Sequence, residues 1–289
     1  MDLYKFRSVT TNNLAALANN QIWFSSLSDF NDPFEGAYIL NSDLPSEIHL
    51  CVKLKSKEEV GEEAYLKMLK KMGLQEGNFT EEIFFKKMVE LDFEKTISIV
   101  HNAKIASFSL FNEDRDPILE NLMWSHYADG LRGYCLVFDY EELQKHICYS
   151  AEKAIRPIKV KYQDIPNTIN LVDFANSNSF LNINGDNHIP KTTETIGTKS
   201  SDWQYENELR LLALESDNFH TYSPTNLTKI VIGEKMPKNQ KKLIIDIAKR
   251  NNANIEICEA RLKNKSYNSM FKFLMIIRCQ KISARTISG

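Results

Sequence analysis

Glycine is sparse and scattered in this chain, with 10 in 289 residues, and nowhere does it cluster into a GxGxxG fingerprint, a P-loop or a GxSxG elbow. A Rossmann dehydrogenase, a Walker-type nucleotide hydrolase and an α/β-hydrolase therefore lack the backbone their chemistry requires. The five cysteines, Cys51, Cys135, Cys148, Cys258 and Cys279, form no CxxC pair, and the six histidines form neither HxH nor HxxxH. These spacings point away from a zinc site or a disulfide framework and predict free thiols in a reducing compartment. An excess of one charge is missing too. A formal net charge of −2 argues against a globally basic nucleic-acid binder, while leaving room for a local basic patch. The late apolar stretch Phe271 to Ile277 is short and interrupted by Lys272, and the opening MDLYKFRSV has no signal-peptide core. The expectation is a soluble cytoplasmic protein with no membrane partner and no metal site.

The length and a 43% hydrophobic content suit one α+β domain spanning 1–289. Leu3 to Arg7 reads as a strand, TTNNLAALANN as a capped helix with Leu14 and Leu17 on one side, and QIWFSS as a second strand. SDFNDPFEG is a structured turn, because Pro33 disfavours helix at Asp32. From 46 to 103 the texture becomes that of amphipathic helices, with Phe84, Met88 and Leu91 at helical spacing, acids leading and lysines following. This reads as a helical insertion, after which KIASFSLF returns to strand. DPILENLMWSHYAD predicts a helix with Asp116 as N-cap and Pro117 in its first turn, placing Leu119, Leu122, Met123 and His126 on one face. GYCLVFD is a buried strand, YEELQKH a short helix and IKVKY another strand. Residues 164–200 are rich in Asn, Thr and Ser without periodicity and predict a long flexible loop. LTKIVIG, a helix over 237–250 and NIEICEARL close the domain as strand, helix, strand. After Glu259 no acid follows, while Arg261, Lys263, Lys265, Lys272, Arg278, Lys281 and Arg285 accumulate, a pattern that can lie against phosphates.

The stretch DWQYENELR, Asp202 to Arg210, is the densest chemical signal. Read as strand, it sets Glu206, Glu208 and Arg210 on one face and Tyr205, Asn207 and Leu209 on the other. Neighbouring ionised carboxylates repel, so Arg210, solvent or a ligand must compensate. Two readings are open: the wet face of an edge strand, or the acidic end of an active site. Other polar residues fall at strand ends and turns: Arg7; Ser107 and Ser109 of ASFS; Asn31, Asp32 and Glu35 of NDPFE; and Trp124, Ser125, His126 and Tyr127.

Arginine, then Ser-x-Ser, then Glu-x-Glu resembles the arginine–serine–glutamate order of ADP-ribosyltransferases. That resemblance implies a split, largely antiparallel sheet of the ADP-ribosyltransferase type, with the helical insertion added, and NAD as substrate. It also implies roles for the residues. Glu208 would accept a hydrogen bond from the nicotinamide ribose 2′-hydroxyl, gaining strength as positive charge develops in an oxocarbenium-like state. Glu206 would orient or deprotonate the acceptor. Arg7 would pair with the dinucleotide phosphates, Ser107 and Ser109 would support the nicotinamide pocket, and Trp124, Tyr127 or Trp203 would stack on a ring.

LYKFR, IWFSS, FNDPFE, ASFS, LMWSHYADGLRGYCLVFD, VKY, KSSDWQYENELRL and IVIG together resemble a bacterial family known as domain of unknown function 2971. That implies a cytoplasmic bacterial or phage-related protein of the toxin or defence kind. The opening strand, helix and IWFS strand also resemble the start of DNA-targeting ADP-ribosyltransferase toxins, with Tyr4 and Lys5 where a histidine–tyrosine pair is expected. The dinucleotide contacts thus expected are Arg7, Tyr4, Lys5, Ser25, Asn31, Asp32, Ser107, Ser109, Trp124, His126, Tyr127, Trp203 and Arg210. The acceptor would be a nucleic acid or a protein. Two further classes stand beside the transferase. One is a nuclease with magnesium on Asp32, Glu35, Glu206 and Glu208; the other is a nucleotide-sensing or interaction module without catalysis.

Overall fold

The computed structural model describes residues 1–45, 54–58, 60–71, 79–112, 115–150, 155–176, 191–214, 218–263 and 274–279. Parts of the expected insertion (46–53, 59 and 72–78), part of the expected loop (177–190) and most of the basic tail lie outside these residues. The chain divides into two compact units. One comprises Met1–Ser26, Lys104–Val160 and Ser201–Gly289, the other Leu27–Ala103 and Lys161–Ser200. No helix among the described residues is long and apolar enough to cross a membrane.

The strands in chain order are β1 (Asp2–Arg7), β2 (Gln21–Trp23), β3 (Ser25–Ser26), β4 (Tyr38–Asn41), β5 (Lys104–Leu110), β6 (Tyr134–Asp139), β7 (Ile155–Lys159) and β8 (Lys161–Tyr162). They continue as β9 (Asn167–Asn170), β10 (Thr198–Lys199), β11 (Glu208–Ala213), β12 (Phe219–Thr221), β13 (Leu227–Gly233), β14 (Glu256–Lys263) and β15 (Leu274–Cys279). The first unit is built on a sheet ordered β15-β14-β13-β6-β1-β5-β11-β7, with β3 on the side of β5. Every pairing in it is antiparallel except β13 with β14, which the helix Lys238–Asn251 connects.

Both sheet faces are covered, which explains the continuous apolar run of β6. Leu3, Phe108, Leu136, Phe138, Leu209 and Leu211 face one core, reached by Leu17, Leu143 and Ile244 from three helices. Tyr4, Phe6, Cys135, Val137 and Val231 face another, closed by Met123 and Trp124 of the helix Asn121–Tyr127. The sheet forks between β1 and β5. Leu3 and Tyr4 pair with Leu110 and Ser109, and further along β5 it is Ser25 and Ser26 of β3 that pair, with Ile105 and Lys104. The Lys5 ammonium sits at the fork, donating to the Ser107 carbonyl oxygen at 2.8 Å.

In the second unit β4 pairs with β9 and β8 with β10, both parallel. Its helices include Glu62–Lys71, Phe79–His101 and Leu171–Asn176. The core is an aromatic stack of Tyr65, Phe85, Phe93 and Phe174 with Val89 and Ile97. The long helix thus buries Phe85, Val89, Phe93 and Ile97, whereas the stripe expected from sequence, Phe84, Met88 and Leu91, lies beside it, with Leu91 exposed. This helix is apolar around much of its circumference, so spacing alone left its buried face undetermined.

Three further expectations need correction. QIWFSS is two strands, interrupted at Phe24, whose N–H donates to the Asn218 carbonyl. Asp116 caps a 3-10 turn, Pro117–Leu119, and Glu120 caps the helix Asn121–Tyr127, so Leu119, Leu122 and His126 are exposed instead of forming its apolar face. Cys135 and Cys148 are free, but Cys258 is disulfide-bonded. The strand register, which sequence spacing cannot reveal, sets the Cα of Cys258 opposite that of Cys279.

Candidate functional site

Glu208 opens β11, and the register places it beside Ser109, which in turn lies beside Tyr4. One row of side chains, Tyr4, Ser109 and Glu208, thus crosses three central strands on the face covered by Met123 and Trp124. Ser109 Oγ donates to Met123 Sδ at 3.9 Å. In the next row Ser107 pairs with Arg210. Arg210 grips Glu208 with two parallel bonds, Nε to Oε1 at 2.9 Å and Nη2 to Oε2 at 3.1 Å. The two side chains are 1% and 4% exposed. A fork of two bonds this dry holds its carboxylate oriented.

Glu206 does not belong to the strand. Residues Ser201–Glu206 form a 3-10 helix, and Asn207 adopts a left-handed conformation with φ 43° before β11 begins. Asn207 stabilises this kink by donating Nδ2 to the Leu110 carbonyl while its own carbonyl accepts the Leu110 N–H. The kink swings Glu206 towards the helix Asn121–Tyr127, where Tyr127 donates its hydroxyl to Glu206 Oε1 at 2.5 Å. Glu206 is buried, so neither acid lies on a wet edge face. Burial pushes the Tyr127 pKa far up, reinforced by Glu206 and then Glu208. Tyr127 therefore stays protonated and acts as a fixed donor.

Outside Tyr127 stands a cluster of rings. His126 lies 5.9 Å from Trp203 and 6.2 Å from Tyr205, and Trp203 lies 6.0 Å from Tyr205. His126 is exposed and Trp203 half-buried. The Tyr205 hydroxyl is buried without a hydrogen-bond partner among the described residues, as is the Ser107 hydroxyl. Burial raises the Tyr205 pKa, with Glu206 and Glu120 adding to it. Tyr205 was missed by the strand reading, which turned it away from the glutamates; the 3-10 turn reverses that.

The remaining expected contacts fall elsewhere. Trp124 is committed to the core, with Nε1 donated to the Ile118 carbonyl at 2.7 Å and its ring edge-on to Phe6. Strand alternation sends Lys5 and Arg7 to the opposite sheet face from Glu208. The Lys5 ammonium lies 4.8 Å from the centre of the Phe108 ring, and its pKa is held well down by burial and Arg7, against Glu208. Arg7 lies across from Tyr134, and burial lowers the pKa of its guanidinium, an effect that Tyr134 partly offsets. Ser25 is half-buried on β3 beside Ile105. Asn31, Asp32 and Glu35 belong to the second unit. Among the described residues no group of three or more His, Cys, Asp or Glu side chains is placed to hold a metal ion.

No curated protein matches the chain. No solved structure matches it either. Residues 123–211, from Met123 through Glu208 and Arg210, match the family described as a protein of unknown function, DUF2971.

Proposed function

We propose that the first unit binds a nicotinamide dinucleotide and cleaves its nicotinamide–ribose bond, passing the ADP-ribosyl group to a macromolecular acceptor. The reading is supported above all by one observation: Glu208, on β11, stands in register with Ser109 and Tyr4 beside the fork between β1 and β5. In this reading the fold is a split sheet of the ADP-ribosyltransferase type.

The chemistry needs an ionised carboxylate held still. A carboxylate offers about four lone-pair sites, and a bidentate arginine takes two of them. Arg210 would keep Glu208 charged and aimed while leaving acceptor capacity for the ribose 2′-hydroxyl. As the C1′–N bond breaks, its electron pair leaves with nicotinamide, and the Glu208 interaction strengthens as positive charge spreads over the ribose. The acceptor oxygen then bonds to C1′ and its proton passes to Glu206, whose Oε1 is held by Tyr127. Trp203, His126 and Tyr205 would provide the flat walls for a ring. A water acceptor would give hydrolysis; a nucleic acid or a protein would give transfer, the outcome expected of a toxin or phage-defence effector.

The test is nicotinamide release by wild type and Glu208→Gln, with and without cell lysate. Release that falls at least a hundredfold in the variant supports the assignment, and dependence on lysate separates transfer from hydrolysis. Folded protein that binds the dinucleotide without releasing nicotinamide would overturn the chemistry. That outcome would establish a second reading, nucleotide binding without catalysis. It is favoured by the bidentate Arg210 pair and by the placement of Arg7 away from Glu208.

A further inference from the structure

The second unit holds a cavity of about 260 Å³ that none of these roles uses. The NDPFEG turn and the residue after it lend it Phe34 and Ala37, the chain between β8 and β9 lends Asp164, Ile165 and Pro166, and β10 lends Lys199. Phe34 and Ile165 are 71% and 68% exposed. A single exposed apolar residue is ordinary, but these two open on the same cavity, and a shared patch carries meaning.

Neither residue is there through slack. Asp32 Oδ1 accepts the Phe34 N–H at 2.9 Å, and the Ala37 N–H returns to the Phe34 carbonyl at 3.0 Å. Gly36 has φ 75°, and a Cβ there would come within 2.6 Å of Leu27. On the opposite wall Gln163 donates Nε2 to the Ile165 carbonyl at 2.6 Å and its backbone N–H to the Lys199 carbonyl at 3.0 Å. The turn sends Glu35 inward, where it meets the Lys199 ammonium at 3.3 Å, the two side chains being 2% and 5% exposed. Lys199 is thereby paired inside the wall, and Asp164 is the other charged residue of the lining.

We propose that this cavity is a binding site for a small amine, a ring-sized apolar body carrying one positive charge. The volume sits just below the roughly 300–1,000 Å³ of drug-sized pockets, which sets the size of the body. Apolar walls bury it, the face of Phe34 favours a cation, and Asp164 supplies the attraction. This binding site stands or falls without the proposed transferase centre.

The experiment titrates the full chain with phenethylammonium, neutral 2-phenylethanol and anionic 3-phenylpropionate, following backbone amide resonances. Shifts are expected at residues 34–37, 163–166 and 198–200, with the ammonium binding roughly two- to fivefold tighter than the alcohol and the carboxylate weakest. Asp164→Asn should erase the difference between ammonium and alcohol. Phe34→Ala should weaken both, and Ile165→Ser repeats that test on the facing wall. Both wall residues and Asp164 are exposed, so unchanged melting of each variant confirms an intact fold. Equal affinities for the three probes, indifference to Asp164→Asn, shifts elsewhere, or no binding up to the solubility limit would overturn the proposal.

Discussion

Removing the Arg210 guanidinium while leaving Glu208 in place is the sharpest perturbation available in the first unit. Both groups are almost fully buried and joined by two bonds near 3 Å. At an effective dielectric of about 20, unit charges about 4 Å apart attract by about 4 kcal/mol. Desolvation costs several kcal/mol per ion, so the intact pair is close to neutral for stability. Breaking it is a different matter, because Glu208 would remain as a buried charge without its counter-ion. Arg210→Met should therefore destabilise the first unit by about 3–5 kcal/mol. Glu208→Gln keeps an acceptor but leaves the Arg210 guanidinium as the uncompensated charge, and should also cost about 3–5 kcal/mol. The double variant Glu208→Gln with Arg210→Met removes both charges and should recover much of the loss, giving a large favourable coupling in a double-mutant cycle.

Urea unfolding of the four proteins, read by a probe in the first unit, supplies the numbers. If Arg210→Met lies within 1 kcal/mol of wild type, or the double variant is no better than the sum of the singles, the pair is not a dry, mutually dependent unit. The unfolding curves also safeguard the activity test: a Glu208→Gln protein that is still folded under the assay conditions yet releases no nicotinamide has lost chemistry and not fold.

Tyr127→Phe leaves the buried Glu206 without its hydroxyl donor and should cost about 1.5–3 kcal/mol, the range for a bond to a charged group; denaturant midpoints give the value. Gly233→Ala should destabilise by about 2 kcal/mol or more, since a Cβ there would stand 2.2 Å from the Leu131 backbone oxygen, which cannot swing away; melting temperature reports it. Burial holds the His101 imidazole below its ordinary value of about 6.5. Between the folded and unfolded pKa the unfolded chain binds more protons, so stability falls as pH drops through and below that value. His101→Gln should flatten this acid limb, measured as the difference in unfolding free energy between pH 7.5 and pH 5.

Most of the first unit's framework was legible because its signals are local and repeat. Leu3 to Arg7, GYCLVFD and the strand, helix, strand of the C-terminal half carry apolar runs or periodicities that few other elements could satisfy. Thr10 caps its helix through the Asn13 N–H, as the Thr/Asn run implies. The long helix of the second unit shows the opposite case. With apolar residues on most of its sides, only packing against Phe174 and Tyr65 decides which side is inside. The disulfide at Cys258 is likewise a consequence of long-range register, invisible in spacing.

The acidic stretch is where local and tertiary logic part company. Alternation in ENELR reads as strand from Glu206, and nothing apolar contradicts it. The signal against it is Asn207, a residue type that tolerates the left-handed region, and its φ of 43° breaks the strand at the point where the two glutamates separate. That single residue turns Glu206 to Tyr127 while Glu208 pairs with Arg210 within β11, so two repelling neighbours become two partnered acids. The expected repulsion was sound physics, and the fold answers it with distance and donors instead of solvent. The same kink brings Tyr205 and Trp203 against His126, so one backbone conformation assembles both the Glu206–Tyr127 bond and the ring cluster outside it. A replacement that cannot hold φ near +43°, such as Asn207→Val, should loosen both together, whereas the Arg210 pair, formed within β11, should survive it.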